Sequence, residues 1–385
     1  MHRVLFLTAW YPNRYDSMFG LFVRKHAFAA GIYNDVTVIY AHADKNIKKS
    51  EYFSDKKENI TEIVVYYPAG RPGLLGKFIK LFRYFYVLHR AYQMYVNTGG
   101  KPDLIHVNIL TRTGIPALLK KLTQGIPYVV TEHWTRYLPE NDTFNGILRK
   151  IATKIIAKNA SVVMPVSEQL QKAMLKHHLS NNRYHIVNNV VDDMFYETSL
   201  VRQKQEITQI LLVSCFLERA KNVKGILNTI KSLSERRQDF KLTVVGTGPD
   251  YEMIINYLSI LNISDELIDF VGEKQPDEVT TYFSKADFFI LFSNYETFGI
   301  VIAESLASGV PIISTKTGIA TDYIQSDNGI LVDIGNENEF EQAIDYMLDH
   351  CQEYKREKIR ESGRIFSFET IGKTYTNIYN SILKS

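Results

Sequence analysis

The sequence predicts an α/β protein built from two doubly wound, Rossmann-like domains. Short apolar runs rich in β-branched and aromatic residues alternate with helical patterns along the whole chain, and this alternation is typical of parallel strands covered on both faces. The 385 residues, 45% of them apolar, exceed the usual size of one domain. We therefore expect two open parallel sheets, each with its own core.

The predicted strands divide into two sets. The first set is Val4–Thr8, Val36–Tyr40, Leu104–Val107, Tyr128–Thr131 and Ser161–Pro165, and the second is Ile210–Ser214, Lys241–Val245, Ile268–Val271, Phe288–Phe292 and Pro311–Ser314. The polar stretch TSLVRQKQEIT, residues 198–208, predicts the linker. An N-terminal domain at 1–195 and a C-terminal domain at 196–367 follow. Since open parallel sheets bind ligands beyond the carboxyl ends of their strands, substrates are expected in a cleft between the domains.

The two halves carry opposite charge. Residues 1–190 contain 26 Lys or Arg against 12 Asp or Glu, whereas residues 191–385 contain 19 against 30. This asymmetry indicates different partners for the two domains, the basic one being suited to an anionic surface or substrate. The basic stretch matches no nucleic-acid-binding module, so nucleic acid is not expected as a partner.

Cysteine usage and hydropathy predict a cytoplasmic protein. The two cysteines cannot form a disulfide framework and no Cys/His group has zinc spacing. The N-terminus MHRVLFLTAW has no cleavage site for a secretory signal and is interpreted as a first strand. No run of about 18 apolar residues indicates a membrane-spanning helix. Cys215 is expected to be a small buried residue rather than a nucleophile.

The densest motif is SNYETFGIVIAESLASGVPIIST, residues 293–315, between two predicted strands. Thr297 is expected to cap a helix whose first turn is residues 298–300, and the free N–H groups there suit a phosphate. Glu296 lies just before that turn and Glu304 about two turns further along. Their carboxylates can accept hydrogen bonds from sugar and ribose hydroxyls. The alternative is a pair of exposed Glu side chains on an ordinary amphipathic helix.

The spacing S-x-x-E-x-F-G-x-x-x-x-E-x-x-A-x-G-x-P of this motif resembles the signature of family 4 retaining glycosyltransferases, which have the GT-B fold. Further segments follow in the family's order, namely TEHW at 131–134, VMPVSE at 163–168, IVNNVVDDMF at 186–195, LLVSCFLERAKN at 211–222, VVGTGP at 244–249 and FVGE at 270–273. The resemblance covers nearly the whole chain. It implies that the last helix, within 368–385, crosses back onto the first domain.

The resemblance also implies roles for individual residues in holding a UDP- or GDP-sugar. Glu304 would bind the ribose, Glu296 the donor sugar, and Lys221 the diphosphate. The implied donor-binding main chain comprises Thr297, Phe298, Gly299 and Ile300 for sugar and phosphate, and Glu273 and Lys274 for the base. From the first domain, His133 would face the donor sugar and Gly20 would lie in a loop approaching the phosphates. The acceptor would be a glycan or a lipid-linked molecule, in cell-surface polysaccharide synthesis.

Three departures from the family pattern stand out. Ser214 and Cys215 replace a Gly-Arg pair, which leaves Arg219 as the candidate second partner of the diphosphate. Asp322, in TGIATD, stands where relatives commonly have Glu, and the loop YPNRYDSMFG has one Gly where many have two.

The chemistry agrees with these residues. Glycosyl transfer requires the leaving diphosphate to be stabilised by a metal or by fixed cations. Asp-x-Asp does not occur in the chain, so Lys221, Arg219 and the helix at Thr297 are expected to do this without a metal or a cofactor. Retention of configuration is what the family resemblance implies.

Several residues have plainer interpretations. His133 could be a core histidine and Lys221 a solvated loop residue. His26 is expected on a helix surface, and His106 and Ser167 either line the cleft or support it.

Residues 71–95, RPGLLGKFIKLFRYFYVLHRAYQMY, interleave basic residues with Leu, Phe and Tyr. A helix of this kind can lie on an anionic membrane surface. The alternative is a core helix with a cationic outer face.

Two rival functions come from other classes. GTGPDY at 246–251 follows a strand and resembles half of a dinucleotide-binding fingerprint, with Tyr251 in place of the third Gly. That would favour a nicotinamide-dependent oxidoreductase. The other rival is a non-enzymatic two-domain protein that closes on a sugar.

Overall fold

The computed structural model describes residues 1–70, 73–110, 112–141, 143–201 and 207–384. The chain forms two compact units, of which the first contains Met1–Val190 and the chain from Phe368 onward, and the second contains Val191–Ser367. The sequence-based boundaries lie at 195 and 367. Within the predicted linker, residues 202–206 lie outside the described residues, whereas Thr198 is buried and its carbonyl oxygen accepts a hydrogen bond from Arg360 Nη2 at 2.6 Å.

The first unit contains a seven-stranded sheet with the order β3-β4-β2-β1-β5-β6-β7. The strands are β1 Arg3–Thr8, β2 Asp35–Asp44, β3 Glu51–Lys57, β4 Ile60–Pro68, β5 Leu104–Asn108, β6 Tyr128–Glu132 and β7 Val162–Pro165. All pair in parallel except β3 with β4. Neither strand of the β3–β4 hairpin was predicted. β3, EYFSDKK, is a mostly exposed edge strand with no apolar run, whereas β4 is mostly buried and its run IVVYY was overlooked.

Helices α1 Leu21–Gly31, α2 Leu74–Gly99, α3 Gly114–Gln124, α4 Ile147–Asn159 and α5 Glu168–Lys176 belong to the first unit. The basic segment predicted at 71–95 is largely α2, and residues 71 and 72 lie outside the described residues. Tyr84, Leu88 and Tyr95 of α2 are buried, whereas Phe78 and Phe82 are exposed. None of the helices in the described ranges combines the length and hydropathy needed to cross a bilayer.

The second unit contains a six-stranded, wholly parallel sheet with the order β10-β9-β8-β11-β12-β13. Its strands are β8 Thr208–Val213, β9 Phe240–Val245, β10 Ile268–Gly272, β11 Phe288–Leu291, β12 Ile312–Thr315 and β13 Gly329–Val332. Its helices are α6 Asp193–Tyr196, α7 Glu218–Lys221, α8 Val223–Ser234, α9 Tyr251–Leu261, α10 Pro276–Lys285, α11 Ile300–Ala307, α12 Ala320–Tyr323, α13 Glu337–His350 and α14 Arg356–Gly363. The two parallel-dominant sheets confirm the predicted α/β fold class.

The last helix, α15 Phe368–Leu383, packs on α1 of the first unit. The contact is close, since a Cβ added to Gly372 would lie 2.3 Å from the carbonyl oxygen of Ala29. Tyr375 and Tyr379 of α15 are fully buried in the core of this unit.

Both sheets reverse their strand order once, and ligands of open parallel sheets bind at such points. The reversal lies between β1 and β5 in the first unit and between β8 and β11 in the second. The loops that follow these strands therefore position the candidate site residues.

Candidate active site

Lys221 and Glu296 form an ion pair at the reversal point of the second unit. Lys221 ends α7, which follows β8, and Glu296 lies in the loop after β11. The ammonium group of Lys221 contacts Glu296 Oε1, which also accepts a hydrogen bond from Ser293 Oγ at 2.8 Å. The Lys221 and Glu296 side chains are only 18% and 10% exposed. Two residues that the sequence places 75 positions apart thus share one charged site.

Backbone contacts tie the Glu296 loop to α7. The backbone N–H of Asn294 donates to the Ala220 carbonyl oxygen at 2.7 Å, and its side-chain amide donates to the Arg219 carbonyl oxygen at 3.1 Å. The sequence does not point to Asn294, because its contacts join two loops that lie far apart in the chain.

Gly318 holds the same loop from the other side. It lies in TGIA after β12, and the N–H of the next residue, Ile319, donates to the Phe298 carbonyl oxygen at 2.9 Å. Gly318 has φ +56°, and a Cβ there would lie 2.3 Å from Phe298 O and 2.8 Å from Glu296 Cβ. Only glycine fits both the left-handed backbone and the close approach.

The helix start differs from the prediction. α11 begins at Ile300 and its N-cap is Gly299, with φ 83° and no side-chain cap. Thr297 therefore does not cap the helix, because the left-handed Gly299 moves the first turn past it. Thr297 is instead buried in the loop, and Glu304 is half-buried in the second turn of α11.

The remaining predicted donor residues of this unit lie at the same carboxyl edge of the sheet. Arg219 is exposed on α7, two residues before Lys221. Glu273 and Lys274 follow β10, which is separated from β8 by β9. Glu273 is exposed and Lys274 is half-buried.

The glycines of GTGPDY serve loop packing. A Cβ on Gly246 would lie 1.9 Å from Ser214 O, and one on Gly248 would lie 2.5 Å from the backbone N and O of Phe216. The Phe216 N–H also donates to the Thr247 carbonyl oxygen at 2.8 Å. The backbone after β8 thus occupies the space that a pyrophosphate would need for close approach to these glycines, which removes the basis of the oxidoreductase interpretation.

Cys215 is exposed, so its predicted burial is wrong. Its neighbours Ser214 and Phe216 are buried. The N–H of Leu217 donates to the Cys215 carbonyl oxygen at 2.8 Å, so the chain turns directly after Cys215 and does not continue the strand.

His133 follows β6 in the first unit and is 7% exposed. Its Nδ1 lies 3.2 Å from Asn189 Oδ1, an acceptor, so Nδ1 is the protonated nitrogen. Nε2 is buried without a hydrogen-bond partner in the described part of the chain. Burial, followed by the nearby His26, lowers the pKa of His133 well below its usual value. The ring is therefore neutral and presents Nε2 as a hydrogen-bond acceptor.

His26 is fully buried, contrary to the predicted position on a helix surface. Its Nε2 lies 3.0 Å from Asn189 Oδ1, and its Nδ1 lies 2.8 Å from the hydroxyl of Tyr375. Burial lowers the pKa of His26 to about 4. The signal was available, because the buried residues Val23, His26, Ala27 and Ala30 have the i, i+3, i+4, i+7 spacing of one helix face.

Glu132 is a buried residue that sequence reasoning missed. Its carboxylate accepts hydrogen bonds from the backbone N–H groups of Leu110, His133 and Trp134 at 2.8, 2.8 and 3.0 Å. Burial raises the pKa of this carboxyl group, and the three N–H donors oppose that rise. Glu132 thereby fixes the turn that carries His133.

Gly20 is the N-cap of α1 and lies close to the loop after β1. It has φ +69°, and a Cβ there would lie 2.5 Å from the carbonyl carbon of Trp10. Two residues later, the ring of Phe22 lies 4.7 Å from that of His133. The structure therefore brings the predicted residues Gly20 and His133 into one neighbourhood.

His106 and Ser167, which were expected either to line the cleft or to support it, make structural contacts within the first unit. His106 is fully buried, with Nδ1 2.7 Å from Tyr379 Oη and Nε2 2.7 Å from Thr131 Oγ1. Ser167 caps α5 by accepting from the N–H of Leu170. Across the described ranges, no group of three His, Cys, Asp or Glu side chains is arranged to hold a metal ion.

Comparison with known proteins identifies the family. Residues 29–195 match the model of glycosyltransferase family 4, and residues 199–366 match that of glycosyl transferases group 1. Together the two models span most of the chain.

Two relatives with known names are similar to this chain over parts of both units. The N-acetyl-alpha-D-glucosaminyl L-malate synthase of Bacillus anthracis is 27% identical over 73% of this chain and 75% of its own. A Campylobacter jejuni enzyme named N-acetylgalactosamine-N,N'-diacetylbacillosaminyl-diphospho-undecaprenol 4-alpha-N-acetylgalactosaminyltransferase is 23% identical over 61% of this chain and 63% of its own.

A solved structure shows the same fold. Anabaena HepE, in complex with UDP and glucose, is 17% identical and superposes with a TM-score of 0.69 over 99% of this chain and 100% of its own. The chain belongs to the group 1, family 4 glycosyltransferases and has their GT-B fold.

Proposed function

We propose that this glycosyltransferase moves a sugar from a UDP- or GDP-sugar to a glycan or lipid-linked acceptor, with retention of configuration and without a metal ion. The observation that carries the proposal is the Lys221–Glu296 ion pair beside the start of α11, at the strand-order reversal of the second unit. The UDP held by HepE and the diphospho-undecaprenol in the name of the Campylobacter relative support the donor and acceptor classes. We place the activity in cell-surface polysaccharide synthesis on the cytoplasmic side of a membrane.

The leaving diphosphate would be stabilised by charges that are fixed before the donor binds. Glu296, in the loop after β11, holds the Lys221 ammonium group in place. The ammonium group would therefore need to move little when the glycosidic bond stretches. Backbone N–H groups at the start of α11 add a second donor set, and Arg219 on the exposed side of α7 adds a further cation. Fixed cations of this kind supply the role that a divalent metal has in other enzymes.

Carboxylates and one imidazole would read the sugar hydroxyls. Glu304 would accept from the ribose, and Glu296 from the donor sugar. His133 offers a neutral Nε2, which has no hydrogen-bond partner among the described residues, as an acceptor for a donor-sugar hydroxyl. The main chain near Glu273 and Lys274 would meet the base.

A thermal-shift panel of nucleotides and nucleotide sugars tests the donor class, because a ligand that binds only the native state raises the melting temperature. We expect a shift with one UDP- or GDP-sugar that persists in excess EDTA. Glu304→Ala should weaken donor binding, and Lys221→Ala should mainly lower kcat. A shift that requires added divalent metal, or unchanged kinetics in both variants, would contradict the proposal.

A further inference from the structure

A cavity of about 600 Å³ lies in the first unit, outside every residue assigned above to the donor. Its polar wall is formed by Arg112, Arg136 and Arg149, and its aromatic wall by Trp10 and Trp134. The rest of the wall is nearly all apolar, with Leu81 from α2 and Leu148 from α4 among the lining residues. Three guanidinium groups beside an apolar surface form an amphiphilic site.

None of the three arginines forms an ion pair in the described part of the chain, although the buried Glu132 carboxylate opposes the lowering of the Arg136 pKa by burial. Arg136 is 5% exposed, its guanidinium carbon lies 3.0 Å from the centre of the Trp134 ring, and its Nε has no hydrogen-bond partner in the described part of the chain. Arg112 lies over the ring of Tyr84 at 4.4 Å, and Arg149 is exposed. No acidic side chain within the described ranges lies in ion-pair distance of any of the three. Burial and repulsion by Arg149 both lower the pKa of Arg136, and an anion bound between the two guanidinium groups would offset that cost.

The helices that line the cavity also expose apolar stripes. On α2, Phe78, Phe82 and Tyr86 are 70%, 73% and 55% exposed, and on α4, Ile147, Ile151 and Ile155 are 78%, 51% and 47% exposed. Each set has a spacing of four residues, so each lies along one face of its helix. Neither helix contains an acidic residue. These surfaces suit a hydrocarbon chain that continues from an anionic group.

We infer that the cavity binds the diphosphate of a lipid-linked acceptor, with the hydrocarbon chain lying along the apolar stripes of α2 and α4. This inference rests on the proposed function and narrows its acceptor to a hydrocarbon-linked diphosphate. Guanidinium groups recognise phosphate oxygens by paired hydrogen bonds, and three of them match the charge of a diphosphate better than that of a neutral glycan. The apolar stripes distinguish a lipid source of the anion from a free one.

Tryptophan fluorescence offers a direct test, because the chain has two tryptophans and both line the cavity. The probe is farnesyl diphosphate, compared with inorganic diphosphate and farnesol at equal ionic strength. We expect a saturable fluorescence change with farnesyl diphosphate at a Kd at least about tenfold lower than that of either fragment, since charge and apolar contacts each contribute. Equal binding of inorganic diphosphate would overturn the lipid assignment, and no response to farnesyl diphosphate would overturn the site.

Arg149→Glu is the variant of choice because the Arg149 side chain is exposed, and surface substitutions usually change stability little. Its matched control is Lys158→Glu, an equal charge reversal at an exposed position of α4 that does not line the cavity. We expect the Kd for farnesyl diphosphate to rise about tenfold or more in Arg149→Glu, and much less in Lys158→Glu. An equal rise in both variants would show general electrostatic attraction and refute the site.

The thermal shift with the nucleotide sugar, measured on the same samples, separates this inference from the proposed function. A donor shift without farnesyl diphosphate binding refutes the inference alone. Farnesyl diphosphate binding without any donor shift supports the cavity as a lipid-diphosphate site and refutes the proposed function.

Discussion

Replacing Gly318 by Ala should destabilise the second unit and disturb the Glu296 loop. The left-handed backbone at φ +56° costs an alanine about 1 kcal/mol relative to glycine. The added methyl would lie 2.3 Å from Phe298 O and 2.8 Å from Glu296 Cβ, so the loop must move. Overpacking of this kind costs about 1–3 kcal/mol more. The free energy of unfolding should therefore fall by about 2–4 kcal/mol.

Gly335→Ala is the matched control. Gly335 also has a left-handed backbone, with φ +74°, but no heavy atom lies within 4 Å of an added Cβ. That variant should lose about 1 kcal/mol, from the backbone alone. The difference between the two variants isolates the steric contact with the Glu296 loop.

Urea unfolding followed by circular dichroism measures both losses, and a nucleotide-sugar titration measures the functional consequence. We expect Gly318→Ala to unfold at a clearly lower urea concentration than Gly335→Ala and to bind the donor more weakly. If both variants lose the same stability and keep the same donor affinity, Gly318 does not hold the loop as described.

Three further predictions concern charge and protonation. Burial lowers the pKa of His26 to about 4, so between about pH 6.5 and 4 the unfolded chain binds a proton that the native protein does not. The unfolding free energy should therefore fall by about 3 kcal/mol as the pH drops through that window. If the slope of the unfolding free energy against pH is the same in His26→Gln, this prediction is wrong. Glu132→Gln should lower the unfolding free energy by about 2–4 kcal/mol, because one amide oxygen cannot replace a carboxylate that accepts hydrogen bonds from three backbone N–H groups. A variant that melts at the same temperature as the parent protein would refute this prediction. Lys221→Met should lower kcat about 10²- to 10³-fold, because the leaving diphosphate loses a fixed cation. The control variant Lys224→Met, three residues further along the chain, should keep the parent kcat. Equal kcat values in the two variants would show that Lys221 has no part in the mechanism.

Each of the ten predicted strands is present, whereas β3, β4 and β13 were not predicted. The residue types at the carboxyl ends of the sheets could also be identified from the sequence. Lys221 and Glu296 were expected in one site, and they form an ion pair. Apolar runs predict central strands well, since β11 and β12 are buried at every position, whereas β10 at the sheet edge is only partly buried. The edge strand β3 was missed because an exposed strand needs no apolar run.

Long-range fits were beyond sequence patterns. Gly318 matters because the carbonyl of Phe298 lies against it, and Glu132 matters because three distant or adjacent N–H groups converge on it. No regular spacing of residues in the sequence marks either of these two contacts. The start of α11 was misplaced because a threonine before a helical pattern resembles a cap, whereas the left-handed Gly299 shifted the first turn.

The chain order of the first unit has a consequence for its biosynthesis. A ribosome releases residues 1–190 well before it makes α15, yet Tyr375 and Tyr379 supply the hydroxyl groups that contact the buried His26 and His106. Until α15 has been synthesised, the first half of the polypeptide therefore holds two core histidines without these hydroxyl partners. A nascent chain that stops at Ser367 would carry all of the second unit and still lack the closing piece of the first.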